Sequence, residues 1–311
     1  MDTKKSYSKL TKKQISLNWR GIYTYIFFLM LVINLAGCGS EESPEPVDGG
    51  ILVETITPGG IYKGHDGMSI DAQGTLYVSN LSSGSGRTIF KVLGDGTPSV
   101  LNDELRGPMG HAFDQAGNLI VSNDRINSLT SIAPDGSATE FLSDPKLQGG
   151  SLVIDDNGNI YHTVYSTNTV YKITPDKEIT TLAVGGSLSV PFGITLDDNG
   201  NVYVANFSNG VITKISSQGA INTLVTVPSV VGYITFANNK LYATGFSTHN
   251  IYEIDLDGNI QVLVGSGLAG NTDGSKSQAT FFSPNGIVAS NDGKILYISQ
   301  ANLNIRKITL K

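Results

Sequence analysis

One short pattern occurs six times along the chain, and this repeat limits the fold more than any other feature. The copies are "DGMSIDAQGTLYVSN", "MGHAFDQAGNLIVSN", "GSLVIDDNGNIYHTV", "FGITLDDNGNVYVAN", "VGYITFANNKLYATG" and "NGIVASNDGKILYIS". They begin at Asp66, Met109, Gly150, Phe192, Val231 and Asn285, at intervals of 39 to 43 residues except for the last, which is 54. Repeats of this length that consist of short β-rich segments are typical of propellers and stacked arrays.

Each repeat contains four candidate strands. In the first repeat these are "MSID", "LYVSN", "TIFKVL" and "SVLND", which are rich in branched and aromatic residues and are separated by Gly, Asn, Asp or Ser. The turn between the first two strands carries a glycine in five repeats and Asn239 in the fifth repeat, as expected where a tight hairpin turn requires positive φ. Four strands per repeat match the blade of a propeller.

The two ends of the repeat region indicate a closed ring. The sixth repeat stops at its third strand, "IRKITLK", whereas the segment before the first repeat, "ILVETITP", resembles the fourth strands of other repeats. Pairing residues 51–57 with the last repeat would complete the sixth blade and leave only protected edges. We therefore predict an all-β fold over residues 51–311, a six-bladed β-propeller closed by its N-terminal strand.

The N-terminal region predicts export and a lipid anchor. Residues 1–37 begin with basic side chains, continue with the uncharged stretch "GIYTYIFFLMLVINLAG" and lead to Cys38, the only cysteine of the chain. The motif "LAGC" resembles the lipobox of bacterial lipoproteins. The resemblance implies a cleaved signal peptide over residues 1–37, a lipid on Cys38 and an acidic tether containing Pro and Gly over residues 38–50. The alternative interpretation is an ordinary membrane anchor with an incidental cysteine.

The residues after Cys38 bear on location. Several acyl chains would hold the protein at a membrane without a spanning helix. Gly39 and Ser40 resemble outer-membrane sorting signals, and the pair Glu41 and Glu42 resembles a surface-export signal. The expected location is the bacterial cell envelope, with a lipid anchor in the outer membrane and exposure at the cell surface.

Composition argues against nucleic acid as a partner. The chain has a net charge of −6, and many of its basic residues lie in the segment predicted to be removed. An acidic domain of this kind offers no surface for a phosphate backbone. Because no cysteine other than Cys38 exists to form disulfides, stability must come from a large buried core.

The repeats resemble known propeller families. The segment "GSGLAGNTDGSKSQATFFSPNGI" is similar to NHL repeats, and the repeated pattern is similar both to NHL repeats and to gluconolactonase/regucalcin-like propellers. Gluconolactonase-like propellers carry a metal-binding asparagine in "NG" and an aspartate in "DGM" on consecutive blades. The matching residues here are Asn285 and Asp66, so the resemblance implies a site for Ca²⁺ or another hard divalent cation. A glutamate of those enzymes corresponds to Gly150 here, which leaves the ligand set short.

The first residue of each repeat is expected at the mouth of the central channel. Asp66 and Asn285 would lie on neighbouring blades once the ring closes, and the other four positions are Met109, Gly150, Phe192 and Val231. The alternative interpretation is that the two polar residues only cap the turns before their strands. His65 and His111 flank these positions and are candidate ligand contacts at the channel mouth, although ordinary hydrogen-bonded histidines would give the same pattern.

Two functions from different classes are compatible with these features. The mostly apolar mouth favours a binding or scaffold module for a polymer, a small ligand, a glycan or a protein. The alternative is a metal-assisted lactonase or hydrolase of the gluconolactonase-like class, in which a cation held by Asp66 and Asn285 would polarise a carbonyl group. The sequence leaves open whether the protein is an enzyme, since no Ser-His-Asp order, Cys-His cluster or zinc spacing is present.

Overall fold

The structure, a computed structural model, describes residues 50–57, 65–81, 85–301 and 304–310, and for His65 it describes the backbone only. The predicted signal peptide and Cys38 lie outside these residues. The described part of the chain consists of β-strands joined by turns and loops and contains no helix. It therefore holds no helix long and apolar enough to cross a membrane.

The strands form six antiparallel sheets, and this confirms the predicted six-bladed propeller. The first strand of the chain is β1 (Leu52–Thr55). The first three blades, each from the inside outwards, are β2 (His65–Ile70), β3 (Leu76–Asn80), β4 (Thr88–Val92) and β5 (Pro98–Asn102); β6 (Pro108–Phe113), β7 (Leu119–Asn123), β8 (Ser128–Ile132) and β9 (Ala138–Ser143); β10 (Leu152–Ile154), β11 (Ile160–Val164), β12 (Thr169–Ile173) and β13 (Ile179–Val184).

The remaining three blades follow the same order, and the last one also recruits β1. They are β14 (Pro191–Leu196), β15 (Val202–Asn206), β16 (Val211–Ile215) and β17 (Ile221–Thr226); β18 (Val231–Ala237), β19 (Lys240–Gly245), β20 (Asn250–Asp255) and β21 (Ile260–Val264); β23 (Pro284–Ala289), β24 (Ile295–Gln300), β25 (Ile305–Thr309), β1 and β22 (Gly274–Ser275). The inner strands β2, β6, β10, β14, β18 and β23 contact one another in sequence, and β23 contacts β2 again, so the ring is closed.

The predicted closure by the N-terminal strand is confirmed. β1 lies antiparallel to β25, with Leu52 opposite Thr309 and Thr55 opposite Arg306. The short β22 adds a further strand on the other side of β1, which covers the edge that β1 would otherwise expose. Val53 of β1 is fully buried in the core of the last blade.

A buried arginine fastens this closure. Arg306 on β25 is fully buried, and its guanidinium donates hydrogen bonds to the carbonyl oxygens of Thr280 (2.7 Å) and Thr272 (2.9 Å) and to Oδ1 of Asp273 (2.7 Å). The same carboxylate accepts hydrogen bonds from the backbone N (3.0 Å) and Oγ1 (2.8 Å) of Thr55. We call Thr55, Asp273 and Arg306 the closure clasp, because these side chains join β1, β25 and the loop before the sixth repeat.

Two repeated hydrogen-bond patterns explain much of the sequence repeat. In the turn after the inner strand, Oδ1 of Asp71 accepts a hydrogen bond from the backbone N of Thr75 (2.8 Å), while Oδ2 accepts one from Tyr77 Oη (3.1 Å). The pairs Asp155–Tyr161 and Asp197–Tyr203 repeat this arrangement in later blades. The recurring tyrosines therefore serve the blade turns.

The second pattern links neighbouring blades through hydroxyl groups. The next-to-last residue of the second strand is Ser or Thr in five blades and Ala205 in the fourth blade. Thr163 Oγ1 donates to the carbonyl oxygen of Phe192 (2.8 Å) on the next blade, and Thr244 Oγ1 donates to that of Asn285 (2.7 Å). These bonds hold the inner strands at the heights where their first residues surround the channel mouth.

Candidate functional site

The channel mouth is formed by one residue from the beginning of each inner strand, and the structure corrects one member of the predicted set. In four blades the residue just before the mouth position pairs with the last residue of the second strand, as in His65–Asn80, Pro108–Asn123, Pro191–Asn206 and Pro284–Gln300. In the fifth blade Val231 is the residue that pairs with Gly245. Gly232 therefore occupies the mouth position, and the prediction of Val231 there is wrong by one residue.

This shift places a tyrosine where the first, second, fourth and sixth blades have glycine. Tyr233 stands beside Gly193 of the neighbouring blade, whose missing side chain leaves room for the Tyr233 backbone. The glycine in "VG" is Gly232. Aligning it with the glycines of the other repeats assigns Val231 to the mouth position, whereas the strand pairing assigns Gly232 to it. Tyr233 as a whole residue is 5% exposed, and its phenol lies close to Asp66 at the mouth.

Asp66 and Asn285 meet across the ring closure, as the repeat predicts. Nδ2 of Asn285 donates a hydrogen bond to Oδ1 of Asp66 at 3.0 Å. The amide oxygen of Asn285 lies against Gly232, where a larger residue would displace it. The amide thus presents its nitrogen, not its oxygen, to the carboxylate.

Asp66 is buried and only partly satisfied. Its side chain and backbone together are 3% exposed, and burial raises the pKa of the carboxyl group to about 7, against the lowering influence of hydrogen bonding by Asn285 and Tyr233. Within the described part of the chain, neither Oδ2 of Asp66 nor Oη of Tyr233 has a partner in full hydrogen-bond geometry. The phenol is close enough to influence the acid, but both atoms retain hydrogen-bonding capacity.

Aromatic side chains from three consecutive blades surround one half of the mouth. Phe192 lies at the centre, with its ring centroid 6.3 Å from that of Tyr165, 5.8 Å from Phe207 and 5.6 Å from Tyr233. Phe246 extends the group, 6.0 Å from Phe207. We call these five residues the aromatic arc. All except Tyr233 are partly exposed, so their rings form an accessible apolar surface.

A simple sequence signal marks most of the aromatic arc, although the repeat comparison did not use it. Tyr165, Phe207 and Phe246 each come directly after the second strand of their blades. The equivalent positions in the other blades are Leu81, Asp124 and Ala301. Aromatic residues at one blade position in three successive repeats could have predicted this surface.

Asp124 is a second carboxylate at the mouth that the sequence analysis missed. Its side chain is 14% exposed and accepts a hydrogen bond from Tyr165 Oη at 2.6 Å. Asp124 Oδ1 and Met109 Sδ both lie close to Gly149, where the absence of a side chain leaves room for them. The charge of Asp124 also contributes to the raised pKa of Asp66, so its field reaches Asp66 across the mouth.

His111 is buried in the wall of the channel, and its predicted ligand contact stays a prediction. Its Nδ1 is 2.8 Å from Ser69 Oγ, its Nε2 has no partner among the described residues, and burial lowers its pKa to about 4. It lines a channel cavity of about 260 Å³, together with Ser69, Ser151, Thr195 and Tyr233. The neutral ring is therefore part of the channel wall below the mouth. The side chain of His65 lies outside the described residues, so its predicted ligand contact stays a prediction.

The metal site also stays a prediction, and the arrangement of Asp66 and Asn285 does not fit one. A cation between them would need the amide oxygen of Asn285, but this oxygen faces Gly232. Across the described ranges, no three side chains of the His, Cys, Asp or Glu type group together as metal ligands. Two carboxylates and an amide that presents its nitrogen are a poor ligand set for a hard divalent ion, which requires oxygen ligands.

The fold and the mouth define a class, a six-bladed propeller whose inner-strand ends form a small polar and aromatic site. Residues 96–311 match the virginiamycin B lyase family, and the chain belongs to this family. No curated protein matches the chain by sequence.

Solved structures extend the comparison at the level of fold. A catalytically inactive variant of virginiamycin B lyase from Staphylococcus aureus with quinupristin shares 20% identity and a TM-score of 0.61, over 84% of this chain and 100% of that one. A gluconolactonase from Xanthomonas campestris shares 18% identity and a TM-score of 0.68, over 85% and 91%. An auxiliary nutrient binding protein from Bacteroides ovatus shares 16% identity and a TM-score of 0.70, over 83% and 76%. The gluconolactonase-like resemblance of the repeats therefore holds for the fold.

Proposed function

We propose that this protein is a ligand-binding propeller, anchored to the bacterial envelope by a lipid on Cys38, and that its ligand binds at the channel mouth. The observation that carries the proposal is the combination of the aromatic arc with unsatisfied polar atoms of Asp66 and Tyr233. Small-molecule sites typically pair an apolar lining with a few converging polar groups. The structural similarity to a nutrient binding protein supports the same role.

A thermal-shift screen of the mature lipoprotein, extracted in detergent, would test the proposal. The screen should include glycans, aromatic small molecules and short peptides, because the sequence leaves the ligand class open. We expect at least one class to raise the melting temperature in a dose-dependent manner, since a ligand that binds only the folded state stabilises it.

Paired variants would locate the binding site. Phe192→Leu removes the central ring of the aromatic arc and should abolish the shift. Phe141→Leu is the matched control, because Phe141 is a partly buried aromatic residue on the outer strand β9 of the second blade. An equal loss of the thermal shift in both variants would contradict a site at the mouth. So would a ligand whose thermal shift is the same in Phe192→Leu as in the wild type.

The lipid anchor needs a separate test, because Cys38 lies outside the described residues. Cys38→Ser should leave the precursor uncleaved or release the protein from its normal membrane fraction, while Ser43→Ala in the tether should change nothing. Membrane fractionation with metabolic labelling by a palmitate analogue measures both effects. Retention and labelling of the Cys38→Ser protein would exclude lipidation at this residue. Protease shaving of intact cells would test outer-surface exposure.

A metal-assisted lactonase remains the second candidate, and one observation favours it. Asp66 and Asn285 do meet across the closure, at the positions that correspond to metal-binding residues in gluconolactonase-like propellers. Calorimetry with Ca²⁺, Mg²⁺, Mn²⁺ and Zn²⁺ would test this candidate. Binding tighter than millimolar that Asp66→Ala removes and Asn80→Ala leaves intact would support it.

A further inference from the structure

We infer that the ligand of the channel mouth is an organic cation, an ammonium group carried on an aromatic or apolar body. This inference rests on the proposed function and specifies the class of molecule that binds. Its basis is one continuous set of side chains that runs from Asp124 through Tyr165, Phe192 and Tyr233 to Asp66.

The carboxylate of Asp124, joined by that of Asp66 when Asp66 is ionised, gives the mouth a negative potential. Asp66 takes part in no salt bridge among the described residues, and its only hydrogen bond from a side chain with full geometry comes from Asn285. Among the described residues, Asp124 has one cationic neighbour, Arg125, whose Nε lies 3.6 Å from Oδ2 and whose side chain is 58% exposed. Solvent screens a contact of that kind, so within the described part of the mouth Arg125 neutralises little of the charge of Asp124.

The aromatic rings stand directly beside these carboxylates. Tyr165 donates its hydroxyl hydrogen to Asp124, and Tyr233 lies close to Asp66. Phe192 bridges the two tyrosines, and its ring is nearly perpendicular to that of Tyr233, with an interplanar angle of 85°. Rings at different angles around one space offer both faces and edges to a bound group, and a cation is attracted to the faces.

The mixture of rings and carboxylates distinguishes an organic cation from other ligands. A hard metal ion requires several oxygen ligands, and three rings of this set would contribute little to its shell. An anion would be repelled by Asp124 and by the ionised form of Asp66. An ammonium group can donate to the unpartnered Oδ2 of Asp66 while its carbon substituents lie against the rings. Phe207 and Phe246 continue the apolar surface away from Asp66 and would contact the body of the ligand.

Matched probes would test the charge requirement on the mature lipoprotein. Phenethylamine, phenyltrimethylammonium, phenethyl alcohol and 3-phenylpropionate carry the same ring with a cationic, cationic, neutral or anionic group. Titration calorimetry at about pH 8, above the pKa of Asp66, should show that phenethylamine binds at least about tenfold more tightly than the alcohol, and that the anion does not bind. Phenyltrimethylammonium has no N–H donor, so it should bind between the amine and the alcohol, through its charge and the rings alone.

Variants would assign the effect to the two carboxylates. Asp66→Asn and Asp124→Asn should each weaken phenethylamine binding about fivefold or more and leave the alcohol unchanged, whereas Phe192→Leu should weaken both. Asp135→Asn, in an exposed turn between β8 and β9, is the control and should change neither. Melting curves confirm that each variant is folded, and Asp124→Asn provides a second test if Asp66→Asn is not.

Several results would overturn the inference. These are equal binding of the amine and the alcohol, amine binding that survives both Asp→Asn changes, and failure of every cationic probe. If Ca²⁺ alone binds and Asp66→Asn removes it while the amines fail, the mouth is a metal site. The proposed function survives whenever another ligand of the screen still requires Phe192, so the two failures are distinguishable.

Discussion

The ring closure buries Arg306 and the channel mouth buries Asp66, and these two ionisable side chains differ in how many hydrogen bonds they form. At the closure, Arg306 donates three hydrogen bonds through its two Nη atoms, and only its Nε lacks a partner among the described residues; its guanidinium carbon lies 5.1 Å from the ring centroid of Phe281. At the mouth, Asp66 accepts one side-chain hydrogen bond in full geometry, and its Oδ2 is left without a partner among the described residues. A buried charge with several hydrogen bonds and a carboxylate partner holds the surrounding elements in place, whereas a buried acid with one such bond reduces stability and is available to a ligand.

This difference separates the residues that stabilise the propeller from those that give it a function. Substitutions in the closure clasp should reduce the free energy of unfolding. Substitutions of polar residues at the mouth should alter binding and leave stability unchanged or raise it. Four predictions test this separation, from the largest expected effect to the smallest.

Deleting residues 51–56 should have the largest effect. The deletion removes β1, uncovers the edge of β25 and loses the fully buried Val53, so the protein should aggregate or melt at least about 10 °C lower. Deleting six tether residues, 41–46, is the matched control and should not change the melting temperature. A β1 deletion that melts like the wild type would show that ring closure contributes nothing to stability.

Arg306→Ala should lower the free energy of unfolding by about 3–5 kcal/mol, because it empties a fully buried site and leaves buried acceptors without donors, while Asp273, whose side chain is 49% exposed, can turn to solvent. The change leaves the carbonyl groups of Thr272 and Thr280 without their donors and removes the contact with Phe281. Arg125→Ala, at the exposed guanidinium beside Asp124, should stay within about 0.5 kcal/mol. Urea denaturation of both variants measures the difference. Similar losses of unfolding free energy would mean that the closure clasp contributes no more to stability than an exposed arginine.

Asp66→Asn should make the protein more stable near neutral pH than the wild type. The folded-state pKa of Asp66 is raised from 3.8 to about 7, so between these values the native acid keeps its proton and the unfolded acid loses it. The contribution of Asp66 to stability is therefore present below about pH 4 and is lost as the pH rises to 7. The stability difference between variant and wild type should grow over this interval by up to about 4 kcal/mol and then level off.

Two histidines oppose this trend but do not disturb the comparison. Burial lowers the pKa values of His111 and His162 from 6.5 to about 4, so their contribution rises with pH over the same interval. Both proteins contain them, and the difference between the two stability curves isolates Asp66. A difference that does not change between pH 4 and pH 7 would mean that Asp66 is not held in its neutral form.

Thr244→Val should have the smallest effect, a loss of about 1–2 kcal/mol. The hydroxyl of Thr244 accepts from the backbone N of Tyr233 (3.1 Å) and donates to the carbonyl oxygen of Asn285 (2.7 Å), so it supports the mouth without facing a ligand. Thr223→Val, at an exposed position of β17, should be nearly neutral in urea denaturation. Ala205 replaces this hydroxyl in the fourth blade, so a loss far above 2 kcal/mol would indicate that the blades are not equivalent.

The sequence by itself determined the architecture and one pair of the site. The repeat predicts six blades because its turn residues and alternating strands act locally, within about fifteen residues. The unfinished sixth repeat and the spare strand at residues 51–57 predict the closure, which the pairing of β1 with β25 confirms. Since closure makes the sixth and first blades neighbours, the contact between Asp66 and Asn285 also follows from the order of the repeats.

Only the tertiary structure decided which other side chains share the mouth. The pairing of Val231 with Gly245 moves Tyr233 into the glycine position, and a shift of one residue sends a side chain to a different side of its strand. Asp124 and Phe192 approach the site from different blades, at distances set by how those blades pack around the channel. A repeat specifies what each blade has in common with the others, whereas a binding site depends on the residues by which the blades differ.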